Sequence, residues 1–242
     1  MRLKVIASSS KGNCYIIGNK EEILILECGV TFAAIKKGID FELDKVVGVL
    51  MSHEHKDHSK CAKDIVKARL PLYSSAGTFN EIGVQGNVME EGKVYKIGNF
   101  KVLPFAIMHD CAEPFGFLIN HPDTGNILFA TDTYFLPNRF ANLSHILIEA
   151  NYSDEIIEDN LRNGIINGYL RDRTLESHMS IKTTIETLQA NDLSKVVTIV
   201  LLHLSDRNSN AKQFQNEVWL ATGKPTFVAE PKLDIKFTKT PW

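Results

Sequence analysis

Short apolar runs cut by Gly, Asn and Asp dominate the first half of the chain. "LKVIA" (3–7), "CYIIG" (14–18) and "EILILECG" (22–29) read as strands joined by tight turns. Gly18-Asn19-Lys20 fits a hairpin between the last two. "TFAAIKKGI" (31–39) changes to helical spacing and ends near a glycine, and "KVVGVLMS" (45–52) reads as a buried strand. "SKCAKDIVKARL" (59–70) predicts an amphipathic helix, with Cys61, Ile65 and Ala68 or Leu70 inward and the lysines outward. Further strands are expected at "KVYKI", "FKVLPFAI", "FGFLIN", "NILFAT" and "HILIEA". The second half turns helical at 153–169, 180–191 and 209–221, with the strand "VVTIVLLHL" (196–204) between the last two helices. No internal repeat, low-complexity tract or flexible linker interrupts this pattern, which predicts one domain of mixed strands and helices over residues 1–242.

The polar residues of chemical interest fall where apolar runs stop. His53 follows "VVGVLMS", His109 follows "FAIM", Asp132 follows "ILFAT", and His203 closes "VLLH". Strand ends of a packed sheet converge on one edge, where loops on a rigid scaffold carry function. The densest stretch is "LMSHEHKDHSKCA" (50–62), with His53, His55, Asp57 and His58 inside six residues. In H-x-H-x-D-H, alternate histidines point the same way and suit one metal ion, while Asp57 and His58 swing round to a second. His109, Asp132 and His203 are candidate third, bridging and terminal ligands. Two such ions share a water, lower its pKa and clamp the oxygens of a displacement. The alternative is a solvated charged loop, which the three remote partners at strand ends argue against. His121 and His145 lack such company and are expected to be structural.

Composition narrows the picture. The formal net charge is −2, which argues against a surface coated in basic charge to hold long nucleic acid, and leaves room for a local basic groove. Cys14, Cys28, Cys61 and Cys111 are scattered, with neither a C-x-x-C pair nor zinc-finger spacing, and read as reduced thiols. No signal peptide or membrane-length apolar run is evident, so a cytoplasmic location without membrane association is expected.

"HEHKDH", with "SSSKGNCYII" and "ILECG" before it and "TDT" and "LLHLS" after it, resembles the metallo-β-lactamase superfamily, and the matching motifs run from Ser8 to about Ser205. The resemblance implies an α/β fold, the four-layer αβ/βα sandwich, with two divalent metal ions, zinc or manganese, at the sheet edges. By the same resemblance His53, His55 and His109 hold one ion, Asp57, His58 and His203 the other, and Asp132 bridges them. Lactamases of this fold lack the complete set, so antibiotic hydrolysis is not expected. The stretch 176–210, "ESHMSIKTTIETLQANDLSKVVTIVLLHLSDRNSN", is similar to ribonuclease Z and closer to the YycJ/WalJ-like hydrolases, described as DNA exonucleases; "HDCAEPFGFLI" and "TDTYF" add to that likeness. The implied activity is phosphodiester hydrolysis of nucleic acid, DNA in the first place, with a hydroxide between the metals as nucleophile. His178 then matches a histidine that faces the scissile phosphate, and Glu149 the carboxylate that orients it. His178 could equally be an ordinary residue before a helix capped by Ser180, and Glu149 a solvated strand end. Asp57 and Asp132 complete the catalytic set. Two residues depart from the family pattern: Glu27 stands where an Asp is usual, and Ser177 where a Gly is usual.

For substrate, Arg171 and Arg173 precede His178 closely and suit phosphate, on what reads as a loop into the site. Lys56, Lys60, Lys63, Lys67 and Arg69 either join them or merely solvate a helix face. Tyr134 and Phe135, just after Asp132, could stack on a base or belong to the core. A small-molecule phosphodiesterase acting on a cyclic nucleotide, a glyoxalase-II-like thioester or lactone hydrolase, and a non-enzymatic adaptor are the competing readings. Dimers are common in the superfamily, so the resemblance also allows a homodimer.

Overall fold

The computed structural model describes residues 1–240. Among these residues the strands are β1 (Arg2–Ser9), β2 (Gly12–Gly18), β3 (Ile23–Leu26), β4 (Val46–Leu50), β5 (Leu72–Ser74), β6 (Asn87–Val88), β7 (Tyr95–Ile97), β8 (Phe100–Ala106), β9 (Phe115–His121), β10 (Gly125–Ala130), β11 (Leu143–Glu149), β12 (Thr198–Leu202), β13 (Thr226–Val228) and β14 (Asp234–Lys236). The helices are α1 (Phe32–Gly38), α2 (Lys56–Ser59), α3 (Ala62–Lys67), α4 (Ala76–Ile82), α5 (Asp154–Arg162), α6 (Gly168–Ser177), α7 (Ile181–Gln189) and α8 (Ala211–Thr222). One seven-stranded sheet runs β14-β1-β2-β3-β4-β5-β6 and the other β13-β12-β11-β10-β9-β8-β7. The architecture is the αβ/βα sandwich.

Alternation along single strands explains the layering. In β2, Tyr15 and Ile17 join a core shared with Phe117, Phe129 and Leu147 of the opposite sheet. The residues between them, Cys14 and Ile16, face a second core with Ile35 of α1 and Ile65 of α3. On the other sheet Ile146 and Ile148 of β11 pack with Leu188 of α7 and Phe214 of α8. Three cores therefore separate four layers, and each strand with both faces covered appears in the sequence as an unbroken apolar run. No helix among the described residues is long and apolar enough to cross a membrane, and all four cysteines are free thiols.

The structure corrects several expected elements. The helix expected at 59–70 is split into α2 and α3, and Ala62 joins Cys61 and Ile65 on the buried face while Ala68 is exposed. The helix expected at 153–169 ends at Arg162 because Gly164 turns left-handed (φ 68°). Residues 168–177, read as a loop into the site, form α6 instead, with Asn167 capping it through Leu170 N–H at 2.8 Å. Ser180 does cap α7, accepting from Thr183 N–H at 3.1 Å, whereas His178 is the C-terminal cap of α6. The lysines 56, 60, 63 and 67 and Arg69 are exposed.

Candidate metal centre

The H-x-H-x-D-H segment leaves the end of β4 and closes on itself at once. His55 is the residue before α2, and its carbonyl accepts from His58 N–H at 2.8 Å and Ser59 N–H at 2.9 Å. Behind this turn the chain leaving β3 passes so close that a Cβ on Gly29 would lie 1.5 Å from the Asp57 carbonyl oxygen. Only glycine permits that approach. Asp132 follows β10 and His203 follows β12, both in the left-handed region (φ 48° and 51°), as is Glu27 after β3 (φ 65°). Non-glycine residues held there cost on the order of 1–3 kcal/mol each, and such strain concentrates at functional sites.

Two clusters result. His53, His55 and His109 offer ligand atoms within 4.8 Å of one another, as do Asp57, His58, Asp132 and His203. In the first, His55 Nδ1 and His109 Nε2 face each other at 3.1 Å. In the second, His203 Nε2 lies 3.2 Å and His58 Nε2 3.3 Å from Asp57 Oδ2. The clusters meet at one atom. Asp132 Oδ2 is 3.2 Å from His58 Nε2, 3.8 Å from both His109 and His203 Nε2, and 3.9 Å from His53 Nε2. The other oxygen, Oδ1, accepts from the Thr131 hydroxyl at 2.7 Å, which fixes the rotation of the carboxylate.

The residues fit two divalent cations. Ligands at about 2.1 Å around a tetrahedral ion stand roughly 3.4 Å apart, close to the spacings above. His53 Nε2 is buried, has no hydrogen-bond partner, and faces the shared oxygen. A buried nitrogen in that state costs free energy unless something binds it. The opposite ring nitrogens are engaged: His53 Nδ1 meets the Ser52 hydroxyl at 2.8 Å, and His109 Nδ1–H donates to the Ser177 carbonyl at 2.9 Å. His58 Nδ1 makes no hydrogen bond but lies 3.4 Å from Glu27 Oε2, and His203 Nδ1 faces the Asn151 amide nitrogen at 3.0 Å. An acceptor behind the ring, such as the Ser177 carbonyl or the Glu27 carboxylate, orients a ligating imidazole and raises its basicity.

Electrostatics differ across the site. Burial, reinforced by His58, pushes His53 well below the usual histidine range, and burial likewise lowers His109; Asp132 opposes both shifts. Burial would raise Asp57 and Asp132, but the neighbouring His203 and His58 hold both carboxyls well below their usual range. Burial would lower His58, yet Asp132 and Glu27 hold it well above its usual value.

Glu149 and His178 stand beside the clusters. His178 Nδ1–H donates to Glu149 Oε1 at 2.7 Å, leaving Nε2 free. The second oxygen of Glu149 accepts from Thr133 N–H at 2.9 Å and Met179 N–H at 3.3 Å. Glu149 is fully buried, not a solvated strand end. Burial pulls the His178 ring down, but Glu149, with Asp132 and Asp57 beyond it, raises it to about 9; bound cations would act in the opposite direction. Ser177 forms an ordinary last turn of α6, with its hydroxyl on the Arg173 carbonyl.

Of the candidate ligands and the His178–Glu149 pair, all but buried His53, His58 and Glu149 line one cleft of about 460 Å³, together with Ser10, Leu170, Arg173 and Arg207. Arg171 does not line it. Its guanidinium is held by Glu158 (2.5 Å) and Asp172 (2.8 Å), which ties α6 to α5 and removes it from the expected substrate set. Arg173 does line the cleft, 3.7 Å from Asp110. Sequence reading missed Arg207 and Asn13. Asn13 reaches across from β2, its amide 3.1 Å from His58 Nε2 and 3.3 Å from the Asp57 carbonyl. The quoted "SSSKGNCYII" contains it, but its partners lie 44 and 45 residues away. His121 pairs with Glu22 at 3.0 Å, and His145 lies flat on Phe237 with centroids 3.9 Å apart, each outside the clusters.

A family model described as the Beta-lactamase superfamily domain matches residues 28–204. The chain is similar to exodeoxyribonuclease YycJ of Bacillus anthracis, 28% identical over 171 residues. It is also similar to exodeoxyribonuclease WalJ of Streptococcus pneumoniae serotype 2, 24% identical over 172 residues. Each match spans 64% of this chain and 64% of the relative's own length. Among solved structures it resembles the metallo-beta-lactamase fold protein YhfI of Bacillus subtilis, with a TM-score of 0.73 at 14% identity, covering 97% of this chain and 99% of that one. At that identity the likeness is one of fold.

Proposed function

This chain belongs to the Beta-lactamase superfamily domain family, and from that premise we propose that it is a dinuclear metal-dependent phosphodiesterase of the YycJ/WalJ-like branch, acting as a DNA exonuclease. The observation that carries the reading is the His178–Glu149 pair, 2.7 Å apart, opening into the cleft where both metal clusters meet at Asp132. Thioester hydrolysis has less need of a histidine braced in this way, because a thiolate leaves without a proton. A phosphodiester has both a non-bridging oxygen to hold and an alkoxide to protonate as it leaves.

His53, His55 and His109 would hold one ion, Asp57, His58 and His203 the other, with Asp132 between them. Zinc or manganese at these positions would polarise a phosphoryl oxygen and lower the pKa of a water. The chain's own groups supply the rest. Glu149 fixes the imidazole of His178 and keeps a proton on Nδ1, so Nε2 is the atom that meets the phosphate or the leaving oxygen. Arg173 and Arg207 carry positive charge at the cleft wall, where a phosphate flanking the reacting one would lie. Leu170 adds an apolar wall.

A cleft of about 460 Å³ also admits a single cyclic nucleotide, which favours the small-molecule phosphodiesterase as the second reading. The test is incubation of metal-loaded protein and of Asp132→Ala with end-labelled single- and double-stranded DNA beside cyclic mononucleotides. Shortening of DNA from one end that needs both metal and Asp132 is the expected result. Turnover of cyclic nucleotides with DNA left intact would replace the exonuclease reading with the second one.

A further inference from the structure

Just past Asp132 the loop exposes two adjacent aromatics. Tyr134 is 44% and Phe135 46% exposed, although the residues on either side, Thr133 and Leu136, are buried. Met108, immediately before His109, is 38% exposed and belongs to the same ledge, since Tyr134 N–H donates to the Met108 carbonyl at 3.2 Å. Exposed aromatics on an unconstrained loop would need no explanation. These are pinned. Thr133 N–H donates to Glu149 Oε2 at 2.9 Å, and the Thr133 hydroxyl donates to the Phe135 carbonyl at 2.7 Å while accepting from Met108 N–H at 3.0 Å. The carboxylate that holds His178 through one oxygen therefore holds the root of the aromatic ledge through the other.

We infer that Tyr134 and Phe135 form a stacking platform for an unpaired nucleobase next to the phosphodiester being cut, a role that rests on the phosphodiesterase reading above. Tyr134 is two residues from Asp132, at most about 7 Å of chain, so a base resting there belongs to a nucleotide adjoining the reacting phosphate. Base–aromatic stacking tolerates any sequence, because every base presents a π-face, and it requires a strand whose bases are free of a duplex. Arg173 and Arg207 put positive charge on the cleft wall, and Arg173 lies 3.7 Å from Asp110, two residues after Met108 of the ledge. Cleft charge together with an aromatic surface is the combination that single-strand binding uses. The substrate class that follows is the single-stranded end of a polynucleotide.

The test uses metal-loaded protein and a single-stranded oligonucleotide with cleavage-resistant phosphorothioate linkages and 2-aminopurine at successive positions from one end. Stacking on an aromatic ring quenches that fluorophore. The expected result is quenching at one or two terminal positions, abolished in Tyr134→Ala or Phe135→Ala, with binding weakened about 5- to 150-fold. Tyr134→Phe retains the quenching. An oligonucleotide abasic at the quenched position binds wild type and the alanine variants equally weakly. Quenching and affinity that survive both alanine changes overturn the platform while leaving exonuclease activity standing. A shift from dimer to monomer in sedimentation of the alanine variants, with affinity unchanged, assigns the ledge to a subunit contact and overturns it also. If wild type neither binds nor shortens any oligonucleotide, the phosphodiesterase reading fails, and the platform with it.

Discussion

The two halves of the metal centre share an edge of the sandwich and one aspartate, yet they are braced by different chemistry. Behind the first cluster stand neutral groups, the Ser52 hydroxyl on His53 and the Ser177 carbonyl on His109. Behind the second stand a carboxylate, Glu27, 3.4 Å from His58 Nδ1, and the Asn151 amide, 3.0 Å from His203 Nδ1, with Glu149 Oε1 at 3.6 Å. The second also has a carboxylate ligand of its own, Asp57. The outcome is visible in two histidines of the same short motif. Both His53 and His58 are fully buried, but burial wins at His53, whose value falls, and carboxylates win at His58, whose value rises. Burial alone therefore does not decide a histidine's charge; the groups facing it do. A divalent cation would meet three imidazoles in the first cluster, and two imidazoles with a carboxylate of its own in the second.

The change that breaks both halves together is Asp132→Ala, because Asp132 Oδ2 lies within 3.9 Å of ligand nitrogens from each. Its removal is expected to lower hydrolysis by at least on the order of 10⁴-fold, as for groups that act as a unit. Bound metal, measured by elemental analysis, should fall below two ions per chain. Two ions still bound with unimpaired hydrolysis would mean that the clusters are independent. Chelation of the wild type should reproduce the loss, and readdition of zinc or manganese should reverse it.

The next change leaves the metals in place. His178→Ala is expected to slow hydrolysis of DNA by roughly 10²–10⁴-fold, the usual worth of a positioned general acid. The loss should shrink sharply on a nucleoside p-nitrophenyl phosphodiester, whose leaving group departs without a proton. An equal loss on both substrates would make His178 a phosphate-holding residue instead. Glu149→Gln should follow the same pattern more weakly, since it loosens the ring without deleting it.

The asymmetry itself is tested by Glu27→Gln against Ser52→Ala. Partners behind a ligand typically contribute 10–100-fold in metal affinity. Glu27→Gln should therefore weaken the ion beside His58 by about that factor in a competition titration, and affect the ion beside His53 less, which Glu27 reaches only through the Ser52 N–H. Ser52→Ala should produce the smaller effect, on the other ion. Equal effects, or both ions weakened alike by Glu27→Gln, would show that the bracing carboxylate is not what distinguishes the halves.

Much of this edge was legible in the chain, for a physical reason. The strands that deliver Asp132 and His203, β10 and β12, are covered on both faces, so an apolar run ends abruptly in a polar residue, as "ILFAT" does before Asp132 and "VLL" before His203. Residues acting from a distance were harder to read. Asn13 is one polar residue inside an apolar strand, and only the folded register of β2 against the Asp57 turn brings its amide to His58. Arg171 and Arg173 look alike in sequence. They part company because α6 is helical, so that one side chain falls against Glu158 of α5 and the other against the cleft. The sequence contained the signal, a glycine after Arg162 and an asparagine cap at 167, but the helical run before it masked the break.

The smallest expected effect uses a buried histidine that faces no ligand. His145 is as inaccessible as His53 but lies against Phe237, and burial lowers it to about 4. The unfolded chain takes up that proton near the ordinary value of 6.5. Between those limits the unfolded state binds more protons than the folded one, so this contribution to stability is complete above pH 6.5 and is lost as the pH falls toward 4. At pH 5 the loss is about 2 kcal/mol relative to pH 7.5. His145→Leu, which keeps an apolar contact with Phe237, should remove that slope. In urea unfolding of metal-free protein, the stability difference between wild type and variant should move by this amount between the two pH values. A difference that stays flat would mean that the ring is already solvated or charged in the fold. The parallel with His53, where burial also leads, would then fail.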